Sequence, residues 1–176
     1  MGQFKHSTGN ISPDASPYQL HLEPITAPDS PDVLQIDRSD VSEDWVDSIQ
    51  HIMALHLYGL EHRCIGHTYA IYCSDACVGM LLIGEGIPWA CDPPELKGIP
   101  FYRIMGFVVD RRWRGRGIGS QALETAIGAI FSEYGPRPIV LGVQEDNHRA
   151  MHFYEAHGFV RNSARDEDDV YFLRYP

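Results

Sequence analysis

The sequence predicts a single α/β (α+β) domain with about seven strands and three helices. Its 176 residues can bury one sizeable core but are few for two domains. Segments with strand patterns, either alternating or continuously apolar, are interspersed with segments whose apolar residues recur at helical spacing. Their order is strand, helix, three strands, helix, strand, helix and two strands. A mixed sheet flanked by helices follows from that order.

The first half of the chain begins with a tail and contains one helix and three strands. Residues 1–17 are polar and rich in proline, glycine and serine, which predicts a flexible tail before a domain at 18–176. Ser42 is a plausible cap for the helix, because the apolar positions start to recur just after it. The predicted elements are a strand at 18–25, a helix at 43–60 and strands at 68–73 and 77–85.

The second half opens with a long loop at 86–100, rich in proline and glycine, which favours a functional lid or a flexible insertion. The strand that follows, at 101–109, has almost no polar positions, so we expect it to be central and covered on both faces. The remaining predicted elements are a helix at 117–134, a strand at 138–143, a helix at 147–157 and strands at 158–162 and 170–175.

The charge and the cysteines restrict the classes of partner. A net charge of −10 argues against nucleic acid and mildly favours a cationic partner, although many soluble proteins are simply acidic. The sequence contains no apolar run of membrane-spanning length and no apolar signal region near Met1, which predicts a reduced, cytoplasmic protein without a membrane partner. The cysteine and histidine spacings fit no familiar zinc pattern, so we expect no metal and interpret Cys73 and Cys77 as small buried residues.

An arginine- and glycine-rich segment, "RRWRGRGIGSQ" at 111–121, indicates an anion site. A P-loop is excluded, because its lysine is missing after Gly119. The glycines also fit the letters of a dinucleotide fingerprint, but an acidic residue is absent about twenty residues further on. A pyrophosphate site fits better, since glycines admit phosphate to the backbone and helix N–H groups bind it. A solvated basic turn remains the alternative.

Two motifs resemble the GNAT superfamily of N-acetyltransferases. "RGRGIG" at 114–119 is similar to its pyrophosphate motif, Gln/Arg-x-x-Gly-x-Gly/Ala, and "NHRAMHFYEAHGF" at 147–159 resembles its Asn-x-x-Ala-x-x-Phe-Tyr-Glu-x-x-Gly-Phe segment. The resemblance extends over about 18–176. It implies a mixed, twisted sheet whose fourth and fifth strands splay apart, and acetyl-CoA as co-substrate. "FYRIMGFVVD" at 101–110 resembles, more weakly, relatives that acetylate small amines and polyamines.

The resemblance also implies the roles of the site residues. Pantetheine would enter between the splayed strands, where N–H groups of the fourth strand bond the amide and the thioester carbonyl. Tyr154 matches the tyrosine that protonates the departing thiolate, although core packing also explains its ring. Asn147 would hold the cofactor, cap a helix, or do both. The implied cofactor residues are Phe107, Val108, Val109, Arg114, Gly115, Arg116, Gly117, Ile118, Gly119, Ser120, Asn147 and Tyr154.

The sequence departs from the family pattern on the fourth strand. Many members carry a glutamate there as general base, whereas this strand has no carboxylate and places Arg103 near that position. Glu85 is therefore the first candidate for the base, followed by Asp92 and Glu95 in the long loop. For each of the three, a solvated carboxylate is the commoner meaning.

The long loop suggests the acceptor. It combines Trp89 with Asp92 and Glu95, and an aromatic face beside carboxylates often recognises a cation. We therefore expect a small cationic amine as acceptor, unless the loop merely caps the sheet. A non-catalytic acyl-CoA-binding sensor or regulatory module is the alternative function, which the missing strand glutamate slightly favours. A homodimer is possible, because dimers are common among relatives.

Overall fold

The computed structural model describes residues 19–26 and 32–176, which form one sheet flanked by helices. The predicted tail at 1–17 lies outside these residues. The strands are β1 (Leu20–Pro24), β2 (Gly66–Cys73), β3 (Ala76–Glu85), β4 (Tyr102–Val109), β5 (Ile139–Gln144), β6 (Val160–Asp166) and β7 (Asp169–Arg174). The helices are α1 (Ile49–Glu61), α2 (Ile118–Tyr134) and α3 (His148–Ala156), with short 3-10 turns at Val33–Gln35, Pro94–Leu96 and Arg111–Trp113.

The sheet confirms the predicted fold class and its element order. Its strands lie in the order β1-β2-β3-β4-β5-β7-β6, and β4 and β5 are the parallel pair. These two strands pair only at Tyr102 with Ile139 and Arg103 with Val140. Beyond Arg103 they part, as the resemblance implies, while β5 stays paired with β7 along its length. The parting leaves a gap in the middle of the sheet.

Helices cover both faces of the sheet. On one face, α2 buries Ala122, Leu123, Ala126, Ile127 and Ile130 against β-strand residues such as Ile83 and Leu141, as its helical spacing predicts. α3 joins the same core through Met151 and Tyr154. On the other face, α1 packs Ile52 and Met53 against Met80, Leu82 and Val108. The gap between β4 and β5 therefore opens between two helical layers.

The first helix begins later than the sequence predicts. It starts at Ile49, and its cap is Ser48, whose hydroxyl accepts from the N–H of His51 at 3.2 Å. The prediction of Ser42 as cap is wrong, because the Arg38 guanidinium binds the carbonyls of Val46 and Asp47. Those carbonyls are unavailable to a helix, so the segment before α1 forms a loop that reaches the gap.

A bulge in β4 directs the end of that strand toward the gap. The register between β3 and β4 shifts between Met80 and Leu82, so Gly106 and Phe107 together face one residue of β3. Gly106 has a φ of 61°, and an added Cβ would stand 2.5 Å from Ile52 of α1. Only glycine satisfies both the left-handed backbone and the close approach of the helix.

Candidate active site

A cavity of about 400 Å³ lies at the end of β4, between the start of α2 and α3. We call it the α2 cavity. Every predicted cofactor residue except Arg116 lines it, so the structure brings the two sequence motifs together. Arg116 lies beside it, with its guanidinium carbon 5.1 Å from the ring centroid of Trp113. The roles of these residues remain predictions, but their assembly around one cavity is observed.

The arginine-rich turn is held by aspartates. Arg111 pairs with Asp37 at 3.0 Å, and Arg112 pairs with Asp110 at 2.6 Å. The Asp110 carboxylate is fully buried and also accepts from the N–H of Asp37. Hydrogen bonds from Arg112 are the main reason that the pKa of Asp110 falls to about 2. Two of the four arginines in this segment therefore stabilise the turn.

Arg114 is the arginine best placed for an anion. Its Nε donates to the carbonyl of Val109 at 2.7 Å, and its Nη1 donates to Asp40 at 2.5 Å. Its Nη2 is buried without a hydrogen-bond partner. A buried donor of this kind costs about 1–3 kcal/mol unless it is satisfied. Because Arg114 lines the α2 cavity, a bound phosphate would satisfy that donor.

The start of α2 supplies further donors. Gly117 caps the helix with a φ of 76°, and no side chain caps the first-turn N–H groups. An added Cβ at Gly115 or Gly117 would meet nothing within 4 Å, so the approach to these N–H groups is open. The first N–H groups of a helix attract anions through their unpaired donors and the helix dipole. Together with Arg114, they fit the pyrophosphate of coenzyme A.

Tyr154 lies where the α2 cavity meets a second cavity. Its side chain is 8% exposed and packs edge-on against Phe159, with ring centroids 5.5 Å apart. Burial raises the pKa of Tyr154, so the phenol keeps its proton at neutral pH. Asn147 lines both cavities as well, and its side chain accepts from the N–H of Ala150 at 3.1 Å. Its capping role is thus observed.

The second cavity, of about 260 Å³, occupies the gap between β4 and β5. We call it the gap cavity. Carboxylates from the loop before α1 and from the β6–β7 hairpin line it: Glu43, Asp44, Asp47, Asp166 and Asp169. Asp169 is half-buried, and desolvation, followed by Asp166 and other neighbouring carboxylates, raises its pKa. The cavity therefore combines an acidic wall with Tyr154.

Sequence reasoning missed several residues of these cavities. The helical spacing predicts Trp45 within a helix, but its indole N–H donates to Asp146 at 2.7 Å and so connects the loop before α1 with the end of β5. Trp45 lines both cavities, and Arg149 of α3 adds a cation to the α2 cavity. The position of Arg149 in the first turn of α3 could have identified it from the sequence. No local feature of the sequence indicates the contact of Trp45, because its partner is 101 residues away.

The family model for "Acetyltransferase (GNAT) family" matches residues 30–159. The chain belongs to this family. The enzyme is therefore an acyltransferase. No curated protein sequence matches it.

Solved structures share the fold of this acetyltransferase. An acetyltransferase from Thermus thermophilus is 23% identical with a TM-score of 0.64, and covers 89% of this chain and 97% of its own. The PaiA N-acetyltransferase of Thermoplasma acidophilum, in complex with coenzyme A, is 12% identical with a TM-score of 0.65. The match covers 90% of this chain and 99% of the PaiA chain. Arabidopsis thaliana Naa50, in complex with the bisubstrate analogue CoA-Ac-MVNAL, is 20% identical with a TM-score of 0.58. The match covers 88% of this chain and 96% of the Naa50 chain.

The long loop of the acetyltransferase binds a cation of its own chain. Arg103 of β4 donates to both carboxylate oxygens of Asp92, at 2.7 and 2.8 Å, and its guanidinium carbon lies 3.7 Å from the ring centroid of Trp89. The aromatic and carboxylate pair that we expected to bind an amine is thus occupied by Arg103. Trp89 still lines the gap cavity, whereas Asp92 does not.

The three candidate bases lie outside the cavities of Tyr154. Glu85 accepts from the N–H of Ile65 at 3.3 Å, and Glu95 accepts from the Asn162 amide at 3.1 Å. Asp92 is the partner of Arg103. The half-buried carboxylate that does share a cavity with Tyr154 is Asp169, which sequence reasoning did not select.

Within residues 19–26 and 32–176, no cluster of histidine, cysteine and carboxylate side chains is arranged to hold a metal ion. In the same ranges, no helix has the length and apolar character needed to span a membrane.

Proposed function

We propose that the enzyme transfers the acetyl group of acetyl-CoA to the primary amine of a small acceptor whose amine end is cationic. The observation that carries the proposal is the position of Tyr154, where the α2 cavity meets the acidic gap cavity. The nucleotide end of acetyl-CoA would lie at Arg114 and the start of α2. The coenzyme A complex of the PaiA neighbour supports acetyl-CoA as the co-substrate.

The acidic wall of the gap cavity supports a cationic amine in place of the loop residues predicted from sequence. Carboxylates from two separate segments surround the cavity, and their combined field attracts a protonated amine. Trp89 contributes to the wall, but its ring face is already covered by Arg103. The expected cation preference therefore rests on Asp166 and Asp169 more than on Asp92 and Glu95.

The acetyl transfer proceeds by direct attack of the amine on the thioester carbonyl. A C–N bond forms, the C–S bond breaks, and the thiolate takes the proton of Tyr154. Free N–H groups near Phe107, Val108 and Val109, at the end of β4 that has parted from β5, would bond the pantetheine amide and the thioester carbonyl and so stabilise the charge on the carbonyl oxygen. One preorganised donor of this kind contributes about 3 kcal/mol to transition-state stabilisation. The proton lost from the new amide nitrogen returns to the tyrosinate.

The ammonium must lose one proton before it attacks, and Asp169 is the proposed base. Its carboxylate lies over Gly142 of β5, since an added Cβ at Gly142 would stand 3.0 Å from Oδ2. The raised pKa of Asp169 makes it a stronger base than an ordinary carboxylate. Glu85, the first candidate from the sequence, lines a different cavity from Tyr154 and is a weaker choice.

The setting of the enzyme also remains a proposal. The four cysteines, Cys64, Cys73, Cys77 and Cys91, are all free, which supports a reduced, cytoplasmic compartment. A homodimer stays a prediction from the family resemblance.

Thiol release from acetyl-CoA with a panel of primary amines tests the activity. We expect Tyr154→Phe to lower kcat about 10²- to 10⁴-fold while the KM for acetyl-CoA stays unchanged. Tyr175→Phe, at an exposed terminal position, is the matched control and should keep full activity. Binding of coenzyme A without turnover of any amine would contradict the proposal and favour an acyl-CoA-binding module.

A further inference from the structure

A third cavity, of about 700 Å³, lies between the C-terminal half of α1 and the ends of β2, β3 and β4. We call it the α1 cavity. It shares the wall residues Trp89, Arg103 and Met105 with the gap cavity, so the two cavities are neighbours. An acceptor whose amine lies in the gap cavity would reach the α1 cavity past these three side chains.

Buried polar atoms without partners concentrate at this cavity. In the described part of the chain, the buried side-chain nitrogens that lack a hydrogen bond are His56 Nε2, Arg103 Nε and Nη1, and Arg114 Nη2. The α2 cavity accounts for Arg114. The other three belong to residues that line the α1 cavity. Each such atom carries an unmet desolvation cost, which a ligand with acceptor oxygens would remove.

Arg103 is fixed on one side and unsatisfied on the other. Its Nη2 donates to Asp92 and to the carbonyl of Ile87, and its side chain is 4% exposed. The Trp89 ring covers the guanidinium at 3.7 Å from the centroid. The Nε and Nη1 of Arg103 are buried without a hydrogen-bond partner, and their N–H groups lie in the plane of the guanidinium, which the stacked ring leaves uncovered. These are donors only, so they select an acceptor group.

His56 adds a second polar group to the lining of the α1 cavity. It projects from α1, is 8% exposed, and its pKa is lowered by burial, so the imidazole is neutral at neutral pH. A neutral imidazole presents one N–H, which Nε2 can donate to a ligand oxygen. Two other ionisable groups of this cavity already have partners, since Glu85 accepts from the N–H of Ile65 and His67 bonds to Glu133.

The rim of the α1 cavity is apolar. Tyr58, Leu60, Ile87 and Trp89 line it and are 44%, 58%, 42% and 45% exposed, respectively. Exposed apolar side chains that surround one cavity indicate a ligand with apolar surface.

We propose that the α1 cavity binds the far end of the acceptor, an apolar chain that terminates in a carboxylate held by Arg103 and His56. The inference rests on the proposed amine acetylation. It refines the acceptor from a simple cation to an amino acid whose amine and carboxylate are separated by an apolar spacer. The acidic gap cavity and the donor-rich α1 cavity then orient such a molecule with its amine toward Tyr154.

A matched pair of acceptors tests the carboxylate directly. ε-Aminocaproate and hexylamine share the amine and the chain but differ in the terminal carboxylate. We expect kcat/KM about 10- to 100-fold higher for ε-aminocaproate, the range for one hydrogen bond to a charged group. Equal values for the two acceptors would overturn the inference and leave the acetyltransferase activity intact.

Variants locate the binding site. His56→Leu, and Arg103→Met combined with Asp92→Asn to avoid an unpaired buried charge, should lower kcat/KM for ε-aminocaproate more than kcat/KM for hexylamine and so remove the preference. Arg161→Met removes an exposed cation of β6 and should change nothing. A preference that survives in both cavity variants would refute the assignment, provided that their melting temperatures show folded protein.

A binding measurement separates this inference from the activity. Calorimetry with caproate, which has no amine, should detect binding to the wild type without acetyl-CoA, and hexanol should bind at least about 10-fold more weakly. Binding that weakens in His56→Leu supports the site even if no amine is acetylated. Absence of caproate binding would overturn the inference whatever the outcome of the thiol assay.

Discussion

Replacement of Asp169 by asparagine tests the proposed proton acceptor. The substitution keeps the size of the side chain but removes its basicity. General bases contribute about 10²- to 10⁴-fold to turnover, so we expect kcat to fall by that factor at neutral pH. Because Asp169 lies in the gap cavity, away from the Arg114 turn, the KM for acetyl-CoA should not change.

The prediction also fixes the direction in which the pH profile of kcat should be displaced. Burial and the neighbouring carboxylates raise the pKa of Asp169, so the acidic limb of the kcat profile should lie above the range of an ordinary aspartate. Asp166 is one of the carboxylates that raise this pKa. Asp166→Asn should therefore move the acidic limb to lower pH while turnover at neutral pH persists.

Asp169→Asn should lower the activity of the enzyme without lowering its stability. A carboxylate with a raised folded-state pKa favours the folded state less once it ionises, because desolvation disfavours its charge. This cost appears as pH rises through the folded pKa. Asp169→Asn removes the cost, so its melting temperature at neutral pH should be equal to or above that of the wild type.

Steady-state thiol release across pH, together with thermal melting, measures all three effects. Asp168→Asn, at the exposed neighbouring position outside the gap cavity, is the matched control and should keep its activity. If Asp169→Asn retains full kcat, or if its acidic limb is unchanged, the proton is taken by another group and the assignment is wrong.

Further predictions concern the cofactor turn and the sheet. Arg114→Ala should raise the KM for acetyl-CoA about 10- to 100-fold in the thiol assay, and an unchanged KM would exclude a phosphate contact. Gly106→Ala should lower stability by about 2–4 kcal/mol in denaturant titration, because Ile52 stands 2.5 Å from the new Cβ and the φ is 61°. Asp110 should contribute stability that is lost as pH falls from 3.8 toward 2, and Asp110→Asn should flatten the melting profile in that window.

The fold was predictable because its signals are local. Strand alternation, helical spacing and the glycine at position 158 after α3 each depend on residues a few positions apart, and they give the correct number and order of elements. The residues of the α2 cavity were predictable for the same reason, since each of the two motifs starts a helix after a buried strand. Local sequence features therefore identify most of the residues predicted to bind the cofactor.

The loop before α1 shows where local signals fail. Trp45 and Val46 fit the helical spacing, and Ser42 is a good cap residue, so the sequence predicts a helix from position 43. Arg38 overrides that preference by binding two backbone carbonyls, and Trp45 gains a hydrogen bond to Asp146. Tertiary bonds of this kind outweigh helix propensity, which amounts to less than about 1 kcal/mol per residue.

Arg103 explains why the acceptor side was harder to predict. A lone arginine in an otherwise apolar central strand must recruit a carboxylate, because a buried unpaired guanidinium is too costly. The loop that follows β3 supplies Asp92, and the same fold-back places the Trp89 ring over the guanidinium. Residue types alone therefore indicated a cation site correctly, but the cation belongs to the protein. What remains for a ligand is the unsatisfied edge of Arg103, whose donors favour acceptor oxygens at the α1 cavity, whereas the loop composition alone suggests an amine.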